Sequence, residues 1–163
     1  MSETATAQVI QLRPSAPRTD YAALMTAIGE LHGLISLDPV MGATPLRIYF
    51  VFNPAAKARI AQHLDPADRA VRRQPAAYAL VAYDFPFALQ MFEMAARPFS
   101  PERAKEIISL NAALQGDMLQ AAAGVLAIDV RPVLAFDAGA LKQVFFPGTQ
   151  ETLTHLFQLD LNA

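Results

Sequence analysis

The chain contains no cysteine and no tryptophan among its 163 residues. The missing thiols exclude disulfides, thiolate metal sites and cysteine nucleophiles together. Its three histidines, His32, His63 and His155, lack metal-ligand spacing, and surface or helix-end positions account for each. No G-x-S-x-G stretch supplies a hydrolase elbow. Neither phosphate-binding glycine pattern occurs, which removes the usual nucleotide folds. Dense basic stretches are absent too, and a formal net charge of −2 argues against nucleic acid as a partner. The longest apolar run, "AAYALVAY" over 76–83, is far too short to cross a bilayer. The opening "MSETATAQVIQLRPSAPRTD" has no basic segment followed by an apolar core, so it is not a secretory signal. A cytoplasmic protein with no membrane partner is the expectation that remains.

What the chain has in excess is apolar side chain. Hydrophobic residues make up 53% and the mean hydropathy is +0.25. That excess calls for a deep core or a subunit interface. The length suits one domain able to bury a real core. Residues 1–19 are polar, with Pro14 and Pro17, and read as a flexible tail before a single domain over 20–163.

Along the domain, Asp20 could cap a helix to about Leu37, with Leu24, Ile28, Leu31 and Ile35 at helical spacing. A loop over 38–46 follows, then "RIYFVF" (47–52), a strand by its aromatic and β-branched content. Asn53 and Pro54 open a helix to about residue 64, and Asp65 and Pro66 open a short turn after it. "AAYALVAYD" (76–84) is a second strand, apolar on both faces. Residues 85–99 form an apolar helix or a lid-like insertion. Ser100 and Pro101 open the longest helix, to about Leu126, with Ile107, Leu110, Leu114, Met118 and Val125 as its apolar stripe. Residues 129–137 are a loop with some strand character, 137–145 a capped short helix ended by Pro147 and Gly148, and 152–161 a strand with period-two alternation. Strands separated by helices without regular βαβ spacing predict an α+β domain.

Two separated stretches carry a resemblance. The first is "PVMGATPLRIYFVFNPAAKARIAQHL" (39–64), continued by "QPAAYALVAYDFPF" (74–87); the second is "NAALQGDMLQAAAGVLAIDVRPVLAFDAGALKQVFFPGT" (111–149). Together they resemble the nitroreductase superfamily, closest to its malonic semialdehyde reductase branch. There a Pro-Thr-Ser-Ala-Asn loop leads through Pro-x-Arg into a strand and a lysine-bearing helix, and a long Asn-bearing helix precedes a short Gly-Pro-Met loop. The resemblance covers about 110 residues. It implies a nitroreductase-like α+β fold, a central sheet flanked by helices, with a long helix buried between the subunits of a dimer. It also implies FMN at the subunit interface, with NADH or NADPH as electron donor and a small aldehyde, enone, quinone or nitro compound as substrate.

Carried onto this chain, the resemblance nominates Thr44, Arg47, Asn111, Arg131, Pro132, Val133 and Leu134 as cofactor-binding residues. Arg47 matches the family's Pro-x-Arg, and Asn111 its helix Asn. Pro has no N–H to give, so the amide of Val133 or Leu134 is the candidate donor to flavin N5. Arg131 stands where the family has Gly and could serve the N1–O2 edge or the phosphate. Each also has a plain structural reading: a local turn for Thr44, a solvated or paired charge for Arg47 and Arg131, an interhelical bond for Asn111.

The chain also departs from the pattern. Its "PVMGATP" loop has no Asn, Leu110 stands where a basic residue is expected, and the chain stops at Ala163, where the family carries a phosphate-binding cation further on. A phosphate without cations is costly to bury. The alternative is therefore a flavin-free relative, a partner or binding subunit without catalysis of its own. A heterodimer with a longer paralogue would reconcile the two, since the partner could supply the missing cations. A third possibility, a different α+β fold, predicts that strands 47–52 and 76–83 do not share a sheet packed against the 101–126 helix.

Overall fold

The structure, a computed structural model, describes residues 22–23, 25–27, 29–30, 45–71, 75–94 and 100–161. The expected tail 1–19, the Asp20 cap, most of the 38–46 loop with Thr44, and residues 95–99 lie outside these. The described residues between 22 and 30 are helical, and Ala27 packs against the core.

Four strands form one antiparallel sheet: β1 (Leu46–Val51), β2 (Ala77–Tyr83), β3 (Ile128–Pro132) and β4 (Thr152–Leu161), in the order β1-β2-β4-β3. Strands β1 and β2 are therefore neighbours, with Arg47 opposite Ala82 and Val51 opposite Tyr78. The possibility of a different fold fails on that pairing. Strand β2 is buried at every position, as its two-faced apolar sequence requires. Strand β4 is central as well, so the predicted polar face is missing: Leu156, Phe157, Gln158 and Leu159 are buried in succession. A β-bulge between Val81 and Ala82 leaves Thr154 to donate its hydroxyl to the Val81 carbonyl.

Helices cover both faces. On one side lie α1 (Pro54–Gln62), which the short α2 (Pro66–Val71) follows in sequence, and α5 (Ala138–Phe145); on the other lie α3 (Phe85–Met94) and α4 (Pro101–Val125). Their starts follow the capping chemistry of the sequence. Asn53 Oδ1 accepts from the Ala55 and Ala56 amides, Ser100 Oγ from Arg103, and Asp137 Oδ1 from Ala140. Asp84 caps α3 in the same way through the Phe87 amide, a start signal that the sequence reading passed over. Helix α4 ends at Leu126, and Ala127 takes the left-handed conformation (φ 56°) that usually selects glycine. Gly148 (φ 76°) makes the corresponding turn after α5.

Helix α4 meets the sheet by a different face from its stripe of larger apolar residues. Its buried face is Ala104, Ile108, Ala112, Gly116, Leu119 and Ala123. Most of the stripe of larger apolar residues lies on the exposed side: Leu110 is 59% exposed, Leu114 45%, Met118 47% and Val125 80%, with Ile107 half-buried. Strands β2 and β4 fill the layer with Val81, Phe157 and Leu159, and four of the six buried residues of α4 are Ala or Gly, which lets the helix lie close. At Gly116 a Cβ would lie 2.6 Å from the His155 ring.

Candidate functional site

The two edges of the sheet carry the charged candidates. On β1, Arg47 Nη1 donates to the Leu46 carbonyl at 2.9 Å, and its Nε lies 3.7 Å from Glu151 Oε1. Glu151, 9% exposed, is held from its other oxygen by the Tyr49 hydroxyl at 2.8 Å. The Tyr49 ring stacks on Phe146 with centroids 4.9 Å apart. These contacts join β1 to the segment between α5 and β4. Burial, and then the bond to the Glu151 carboxylate, push the Tyr49 phenol up to about 12. Arg47 is thus a paired structural charge. Nothing in the sequence marked Glu151, because its partners lie about a hundred positions away and no local pattern links them.

The Tyr49 pair has a pH consequence. A phenol whose pKa rises on folding stabilises the fold fully below its unfolded value of 10, and that stabilisation is lost as pH rises through about 12. Tyr49→Phe is expected to cost about 1.5 kcal/mol at pH 8. The gap to the parent should close as the solution approaches pH 12, measured as thermal midpoints of both proteins across that range. A gap that widens with pH would contradict the pairing.

On the opposite edge, β3 carries Arg131 and Pro132, both exposed. Val133 is buried, and its amide donates to the Leu156 carbonyl at 2.9 Å, so it is already committed to the sheet. Leu134 is 86% exposed, and no group among the described residues accepts from its amide. Of the two candidate N5 donors, only the Leu134 N–H is therefore open. Beside this strand, Gln158 pairs with Arg131 across the ladder and is 1% exposed, with its side chain against the Tyr78 phenol.

Three interstrand steps separate β1 from β3, about 14 Å at ~4.8 Å per step. One protomer therefore does not bring Arg47 and Arg131 together at a single point. Asn111 lies on the exposed face of α4, beside the outward Leu110 and Leu114. Thr44 lies outside the described residues.

Two clefts accompany these edges. One, of about 370 Å³, is lined by Gln62, His63, Leu64, Asp65, Ala135, Phe136 and Asp137. Its polar groups are occupied locally: Asp65 and Asp137 cap helices, and the His63 carbonyl accepts the Asp137 amide. The other, of about 480 Å³, opens between α3 and α4. No cluster of three or more potential metal ligands occurs among the described residues. No helix among them is long and apolar enough to cross a membrane.

Helices on both faces of a four-stranded antiparallel sheet, with one 25-residue helix laid against it, define the class as a nitroreductase-like α+β fold. The chain matches no family model. It is 33% identical over 148 residues to a Rhodopseudomonas palustris protein provisionally named NADH dehydrogenase/NAD(P)H nitroreductase, covering 85% of this chain and 74% of that one. A protein of the same provisional name from a Caulobacter species is 33% identical over 128 residues, 74% of this chain and 66% of that one. The solved structure of a provisionally named nitroreductase in complex with FMN, from Exiguobacterium sibiricum, aligns over 91% of this chain and 80% of its own with a TM-score of 0.63 at 13% identity. The chain belongs to the nitroreductase superfamily. It spans about two thirds of the length of these curated relatives.

The residues present fit a flavin at one place, the end of β3. There an exposed cation and a backbone donor with no acceptor among the described residues lie three positions apart. At β1 the fit is poorer, because Arg47 is shared with Glu151.

Proposed function

We propose that this protein is an FMN-dependent NAD(P)H oxidoreductase reducing a small aldehyde, quinone or nitro compound in the cytoplasm. In this reading it works as a homodimer and stands nearest the malonic semialdehyde reductase branch. The observation that carries the reading is the Leu134 amide, which has no acceptor among the described residues, beside the exposed Arg131. FMN, when bound, supplies hydride transfer between nicotinamide and substrate. The chain's own part is to hold and orient. Leu134 N–H would donate to the N5 side of the ring, and Arg131 would place positive charge near its N1–O2 edge or the phosphate. Pro132 and the buried Val133 fix the backbone that aims the donor.

The geometry also supports the dimer as part of the site. With Arg47 and Arg131 on opposite sheet edges, a ligand reaching groups of both kinds takes them from different copies. The outward apolar stripe of α4 is the surface those copies would share, and it would place Asn111 at their junction.

The test is a titration of FMN fluorescence. Arg131→Ala is expected to weaken FMN binding about tenfold through the lost charge-assisted contact. Leu134→Pro removes the amide hydrogen without changing charge and should weaken it similarly. Parent-like affinity in both variants would remove β3 from the site. A second reading is supported by the Arg47–Glu151 pairing: a flavin-free subunit whose longer paralogue supplies the cations. It expects no FMN binding by this chain alone and recovery with the partner present.

A further inference from the structure

The α3–α4 cleft has a composition that neither the redox chemistry nor the sheet edges use. Its walls are apolar: Phe85, Pro86 and Leu89 from α3, and the buried Ile108 from α4. Among the described residues two polar side chains line it, Lys105 and Ser109. They are four residues apart on α4, one turn, and so lie on one face of the helix. The cleft's polar groups therefore sit together on one wall, and the opposite wall is hydrocarbon.

The charge on that wall is not neutralised from within. Among the described residues Lys105 makes no ion pair or hydrogen bond. Its neighbour Glu106 is bonded instead to Arg103, at 2.7 Å. No acid among the described residues lines the cleft. Its volume, about 480 Å³, falls within the range of small-molecule sites.

We propose that the α3–α4 cleft binds a medium-chain monocarboxylate, its hydrocarbon against Phe85, Leu89 and Ile108 and its carboxylate on Lys105 and Ser109. The occupant follows from charge complementarity. A neutral apolar molecule would leave the ammonium unused, whereas an anion without an apolar body would leave the walls wet. A lysine at the mouth also binds as a point charge on a flexible stem, which suits a small carboxylate at the end of a chain. The proposal goes beyond the flavin reading and does not rest on it.

Calorimetric titration of the full chain tests it, with no flavin and no nicotinamide present, so that failure here is separate from failure of the redox reading. The probes are octanoate and 1-octanol, below their aggregation limits. Octanoate should bind one per chain and about tenfold more tightly than octanol. Lys105→Met keeps the apolar stem and should abolish that difference while leaving octanol affinity and thermal midpoint unchanged. Ser109→Phe fills the cleft and should abolish binding of both. Equal affinity for the two probes in the parent, or no binding at millimolar octanoate, would overturn the proposal. Retained discrimination in Lys105→Met, or retained binding in Ser109→Phe, would do the same by placing the anion elsewhere.

Discussion

Gly116→Leu is expected to destabilise the fold by about 3 kcal/mol or more, and Gly116→Ala by about 1–2 kcal/mol. A Cβ at this position would stand 2.6 Å from His155 Cδ2 and Nε2, and 2.9 Å from Cε1. The ring has little room to retreat. It stacks on Phe157 with centroids 5.9 Å apart, and its Nδ1 lies 3.0 Å from Thr154 Oγ1. Burial also holds this imidazole below its ordinary pKa, opposed by the nearby Asp117 carboxylate. Alanine is the better helix former by about 1 kcal/mol, so the cost measured for Gly116→Ala is already net of that gain. A double-mutant cycle isolates the contact. In a His155→Ala background the clash is gone, and Gly116→Ala should become neutral or stabilising. Urea unfolding of the four proteins reads this directly. A cost that persists without the histidine ring would mean that another contact fixes the glycine.

In the proposed dimer, the combined substitution Leu114→Glu and Met118→Glu should release monomers, weakening self-association at least a thousandfold. Both side chains lie on the exposed α4 stripe, at 45% and 47% exposure. In an interface with two-fold symmetry each charge appears twice, so four carboxylates would have to be buried without partners. The fold itself should survive, because neither side chain belongs to the buried face of α4. Sedimentation with matched circular dichroism separates the outcomes. A double variant that stays dimeric would remove α4 from the interface. A parent that sediments as a monomer would remove the dimer.

Much of the scaffold is legible locally. Asn53, Ser100 and Asp137 each cap the helix that their position in the sequence announces, and the unbroken apolar run at 77–83 is the fully buried β2. Failures begin where a residue's role depends on distant neighbours. Helical periodicity picks out the larger side chains of α4 as an apolar stripe but not which face meets the sheet, which is the one carrying Ala104, Ile108, Ala112, Gly116, Leu119 and Ala123. The same blindness hides Glu151, whose importance lies in reaching Tyr49 and Arg47 across the fold. At the candidate site, the sequence could nominate Val133 and Leu134 together. Only the register of β3 on β4 shows that the Val133 amide is spent on Leu156 and the Leu134 amide is open. For Arg47, the family pattern pointed to a ligand, and the geometry gives a charge already shared with a carboxylate.

The most direct measurement is the visible absorption spectrum of the purified protein, taken as isolated and again after excess FMN and desalting. The expected result is flavin absorbance near one FMN per chain that survives desalting, and that Arg131→Ala diminishes. A protein that is colourless as isolated and retains no added FMN would contradict the proposed oxidoreductase function for this chain acting with copies of itself.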